Sequence, residues 1–84
     1  MKIFVVDSKN TRIPIEISEN DTVKTLKDKI KNKMGINKDI ILHMNGEIFD
    51  DDNKILDEYG IEENYVVTYV MQFRAGRLIN IIIY

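Results

Sequence analysis

Apolar residues alternate with polar ones at the start of the chain. Ile3 and Val5, then Ile13, Ile15 and Ile17, recur at period two. Residues two apart share a face in an extended strand, so each run offers one face to a core while Phe4 and Val6 point the other way. Between the runs, Asp7-Ser8-Lys9-Asn10-Thr11 carries turn-forming residue types over a hairpin length. Pro14 lies on the outward phase, which suits an edge strand because proline cannot donate to a ladder. From Val23 the period lengthens to Val23, Leu26, Ile30 and Met34 with lysines between them, the pattern of a helix with one buried stripe. Asp21 or Thr22 can accept from the first free amides of that helix, and Gly35 supplies the left-handed residue that ends it.

Beyond the helix, Ile36 is placed to fold back over the core, and Ile40-Ile41-Leu42-His43-Met44 reads as a third strand. Asn45-Gly46 predicts a two-residue type I′ turn into Glu47-Ile48-Phe49. Asp50 to Lys54 is a polar loop, Ile55 to Gly60 has room for one short helical turn, and Tyr65 to Phe73 is the last long strand. There is no internal repeat and no linker. Strand, strand, helix, strand, short strand, helical turn, strand is an α+β order. It predicts a β-grasp roll, in which a mixed four- to five-stranded sheet packs on one main helix.

With 84 residues the chain is one domain, and a domain of this size buries only about 60% of its unfolded surface, so the core has to be tightly patterned. The absence of cysteine removes a disulfide framework, a thiolate zinc site and a thiol nucleophile. Net charge is only -2, but its components are segregated. Lys24, Lys27, Lys29, Lys31, Lys33 and Lys38 stand against Asp28, and from Asp50 to Glu63 every charged residue but Lys54 is acidic. That predicts one basic and one acidic side, either as solvated faces or as a polar surface that steers a partner. Nucleic acid is disfavoured, since no aromatics interleave the lysines and no arginine cluster is present. The amino terminus lacks the basic and apolar stretch of a secretory signal, and no apolar run approaches the ~20 residues of a membrane span.

Little here supports catalysis, a cofactor or a metal. His43 is the only histidine, and its bland reading is a surface strand residue. Asp50-Asp51-Asp52-Asn53 has a calcium-loop look, yet a register begun at Asp50 puts Lys54 and Ile61 where oxygen ligands are needed, and one begun at Asp51 puts Ile55 there. Gly35, Gly46, Gly60 and Gly76 are scattered singly and make no phosphate cradle. The carboxylates lack an apolar setting for acid and base work. The chain reads as a non-enzyme.

Specific residues carry a family resemblance. Met1-Lys2-Ile3-Phe4-Val5 at the start, Asp21-Thr22-Val23, Lys27, Lys29-Ile30, Lys33 and Gly35-Ile36 along the helix, and Leu56-Asp57-Glu58-Tyr59-Gly60-Ile61 together make residues 1–76 resemble the ubiquitin family. The likeness requires one residue fewer near Ile40 and one more in the loop from Asp50 to Lys54. The core it implies is Ile3, Val5, Ile13, Ile15, Ile17, Val23, Leu26, Ile30, Leu42, Phe49, Leu56, Ile61, Val67 and Tyr69. The function it implies is noncatalytic protein binding through the sheet face, in ubiquitin-proteasome or related regulatory traffic in the cytoplasm or nucleus. Receptors of the family grip an aliphatic patch, whose three positions here carry Ser8, His43 and Val70. With neighbouring Met44 these form the expected partner surface. Loss of two aliphatic anchors predicts weak binding to helical ubiquitin-binding motifs, at ~1.5 to 3 kcal/mol per buried side chain. The helix lysines that match the family's chain-building sites are Lys27, Lys29 and Lys33.

The carboxyl end separates two readings. A conjugated modifier ends in Gly-Gly, whereas this chain has Ala75-Gly76, and Gln72 stands where the family has an arginine that helps select the activating enzyme. The alternative function is therefore a modifier processed after Gly76 and joined to target lysines. Residues 77–84 form an apolar extension, in which residues 78–84 are readable as an edge-pairing strand, the start of a further domain or a propeptide. As an exposed β-rich run they also predict self-association.

Overall fold

A computed structural model of the chain describes residues 1–44, 46–75 and 78–83, with side chains as far as Met71. Strand β1 (Lys2–Val6) pairs antiparallel with β2 (Arg12–Glu16), setting Ile3 opposite Ile15 and Phe4 opposite Pro14. Helix α1 (Val23–Met34) follows, then β3 (Asp39–Met44), β4 (Glu47–Phe49), a 3-10 turn at Leu56–Tyr59, β5 (Val66–Ala75) and β6 (Leu78–Ile83). The sheet order is β2-β1-β5-β3-β4, with β6 also paired to β5. Only the central β1–β5 pairing is parallel, so the sheet is mixed. None of the described helices is long and apolar enough to cross a membrane.

Helix α1 begins where the sequence allows its free amides to be satisfied. The Thr22 hydroxyl accepts from the Thr25 amide at 3.2 Å, and the Thr22 carbonyl accepts from Leu26. The other two amides of the first turn are capped by the following loop: Val23 donates to the Lys54 carbonyl and Lys24 to that of Asp52, each at 3.0 Å. The three orphan donors of the first turn, Val23, Lys24 and Thr25, thus find acceptors without an acidic residue in that turn. The loop from Asp50 to Lys54 is therefore a structural cap for α1. At the other end Gly35 adopts φ 70° and its amide closes on the Lys31 carbonyl.

The stripe Val23, Leu26 and Ile30 lies under the inner sheet face, packed with Ile3, Val5, Ile15, Ile17, Leu42, Phe49, Leu56, Ile61, Val67 and Tyr69. Ile36 packs against the cluster, as its place after Gly35 predicts. Ile40 and Met44 are added to the core from the inner phase of β3. Ile13 departs from expectation, being only half-buried. It faces inward in register opposite Val5 but lies at the loop end of edge strand β2, where the helix stripe gives it less cover. Phe49 and Tyr59 stack with centroids 4.3 Å apart, and the Lys54 ammonium lies 4.4 Å from the Tyr59 ring, so the 3-10 turn and the capping loop close one end of the sheet together.

Met44 pairs with Glu47, leaving two residues between the strands. The glycine of that turn, Gly46, has φ 78°, as a type I′ turn needs, while Asn45 lies outside the described residues. The last long strand begins at Val66 and runs past Phe73 to Ala75. The apolar extension takes the edge-pairing course: β6 runs back along β5 from Leu78 opposite Ala75 to Ile83 opposite Val70.

Candidate functional site

The helix covers one face of the sheet, and alternation sends the other residues of each strand to the opposite face. Val6 pairs with Arg12 on one side of β1, and across the sheet His43 pairs with both Thr68 and Ile48. In neighbouring rows Phe4 is opposite Pro14 and Val66, and Ile41 is opposite Val70. Phe4, Val6, Ile41, His43 and Val66 stay half-buried, and Ile48, at 48%, is the most exposed large hydrophobic among the described residues. The Lys2 ammonium lies 5.3 Å from the centre of the Phe4 ring, close enough for a cation–π contact at the rim. This is an apolar strip edged by polar groups.

Of the four expected partner residues, only His43 is among the residues that make it. Ser8 is exposed at the tip of the first hairpin, where Asp7 Oδ1 accepts from the amides of Lys9 at 2.9 Å and Thr11 at 2.8 Å and Asn10 takes φ 64°. His43 is half-buried on the outer face, with no bonding partner among the described residues. Met44 is corrected: only 6% exposed, it follows Ile40 and Leu42 on the inner phase of β3 and belongs to the core. Val70 is corrected too. It shares the outer face with Ile41 yet is only 4% exposed, with β3 on one side of its backbone and β6 on the other. Sequence reading missed Ile48, although the parity of a short strand gave the signal: with Phe49 inward, Ile48 has to face out.

The helix lysines differ in freedom. Lys27 is only 18% exposed, and its ammonium meets Asp52 Oδ1 at 2.7 Å. Lys29 donates to the Glu16 carbonyl at 3.0 Å and lies 3.4 Å from Asp21 Oδ2. Lys33 is exposed, with no ion pair among the described residues. Lys24 pairs with Asp28 one turn along at 3.2 Å, the pairing its i,i+4 spacing predicts. The expected separation into a basic and an acidic side is corrected. Because the Asp50 to Lys54 loop caps α1, it brings acids onto the basic helix. The two signs meet around a cleft of about 410 Å³ lined by Lys24, Lys31, Asp39, Ile48, Asp50 and Asp52, among others. Gly76, the possible conjugation terminus, lies outside the described residues.

Comparison with curated proteins returned no match. The sequence profile of the Ubiquitin family, by contrast, matches residues 3–74, most of the chain and every element from β1 to the greater part of β5. The mixed sheet, the single main helix and that match agree, and the chain belongs to the ubiquitin family.

Proposed function

We propose that this chain is a noncatalytic ubiquitin-like protein-binding domain, working in ubiquitin-proteasome or related regulatory traffic in the cytoplasm or nucleus. The observation that carries the reading is the outer sheet face, where Ile41, His43 and Ile48 form a partly exposed, largely apolar strip, with Phe4 and Val6 on the same face across Thr68. Partners of this face are other proteins, of the kind that read ubiquitin folds at the proteasome. Its centre is Ile48 and His43, so a fitting receptor offers a smaller apolar contact and a polar group for the imidazole. The test is a titration of isotope-labelled protein with purified proteasome. Shifts at Ile41, His43, Ile48 and Thr68 that vanish in Ile48→Glu support the reading; shifts confined to α1, or none, overturn it.

The alternative, a modifier matured at Gly76 and attached to target lysines, requires a free tail. The pairing of β5 with β6 runs as far as Ala75 and Leu78, so maturation has to unseat a strand first. That favours the binding module. Incubation of the full chain with lysate and ATP separates the two readings, because only the modifier yields cleavage after Gly76 and higher-mass adducts.

A further inference from the structure

An open sheet edge presents unpaired backbone N–H and C=O groups, and folded proteins blunt such edges with proline, charge or shortness. Two edges of this sheet are blunted in that way. The β2 edge carries Pro14 between the charged Arg12 and Glu16. The β4 edge is three residues long, begins with Glu47 and runs into Asp50. The third edge belongs to β6. Val70, Met71 and Gln72 of β5 pair with β3 through one side of their backbone and with β6 through the other. That second side is the one β1 occupies at Val66 and Val67, so β6 continues the line of β1 along β5. Among the described residues β6 pairs with β5 alone, which leaves its other backbone edge open.

The sequence of that edge, Leu78-Ile79-Asn80-Ile81-Ile82-Ile83, has no charge, no proline and no glycine, and is rich in β-branched residues. We propose that it is a dimerisation edge, on which β6 of a second copy of this chain pairs antiparallel about a two-fold axis between Asn80 and Ile81. In that register Leu78 is opposite Ile83 of the second copy, Ile79 opposite Ile82, and Asn80 opposite Ile81. No like charges meet anywhere along the strand, so nothing in it opposes pairing with its own copy. Two-fold pairing uses the same edge on both chains, and the other edges are blunted. The assembly therefore closes as a dimer with one continuous sheet and does not grow into a filament.

The test uses the full chain in sedimentation and amide hydrogen exchange. The unsubstituted protein is expected to move from monomer to dimer as concentration rises into the millimolar range. Successive residues of a strand aim their N–H groups at opposite edges, so Ile81→Pro and Ile82→Pro remove one donor from the β5 side and one from the open side. One of the pair is expected to weaken dimerisation at least about tenfold while Val70, Met71 and Gln72 keep their exchange protection. The other is expected to lose protection at those of the three amides that face β6. A protein that stays monomeric at every concentration overturns the proposal, as does a dimer that persists unchanged in both proline variants.

Discussion

At the scale of the residue, most of the consequences lie at positions where one side chain has one task. Thr22 is such a position, since its hydroxyl caps α1 and a valine or alanine has nothing to offer the Thr25 amide. Thr22→Ala is expected to cost about 1 kcal/mol, read as a lower urea midpoint at unchanged slope. Lys27 and Asp52 join the helix to its capping loop at 2.7 Å, with Lys27 the better shielded partner. A double-mutant cycle on the pair is expected to return a coupling of about 0.5 to 1 kcal/mol that shrinks with added salt. Ile48→Glu, on the exposed outer face, is expected to change stability by less than about 0.5 kcal/mol while abolishing the shifts that mark partner binding. His43 and Ser8 were legible as departures from the family patch. The inward turn of Met44 was missed, although it shares the parity of Leu42.

At the scale of the element, strands and helix follow from period and punctuation. The helix starts at Thr22 and stops at Gly35, whose left-handed backbone disfavours any residue with a Cβ. A Cβ there meets no atom within 4 Å, so Gly35→Ala is expected to cost about 1 kcal/mol from backbone conformation alone. Chemical denaturation of Gly35→Ala beside Gly35→Asn checks this, with asparagine recovering part of the loss. Element boundaries were harder to read. The last long strand continues past Phe73 because β6 gives its backbone groups partners as far as Ala75, and no local signal in β5 announces that. Conversely, Ile13 keeps perfect alternation yet is only half-buried, since alternation says which way a side chain points and not how much lies above it.

Over the whole molecule, one small core carries the fold. Leu26 is fully buried at the middle of the helix stripe, and Leu26→Ala is expected to cost about 2 to 5 kcal/mol, a large part of the roughly 5 to 15 kcal/mol that holds an ordinary domain folded. Calorimetry of that variant should show a broad, low-temperature transition or none. The distribution of charge is also decided at this scale. Lysines and aspartates that are blocks along the chain become neighbours around one cleft, because the loop that caps the helix carries the acids with it. The burial of Val70 is similar, since it depends on neighbouring strands on both sides of β5. The amino-acid sequence by itself determined the order of elements as far as β5, most of the inward set of aliphatic side chains and the family, because period, caps and turns are local and leave their mark within a few residues. Only the tertiary structure decided which outward residues are reachable, which lysines are tied down and where opposite charges meet, because exposure and pairing depend on segments far apart in the chain and are settled only when the sheet closes over the helix.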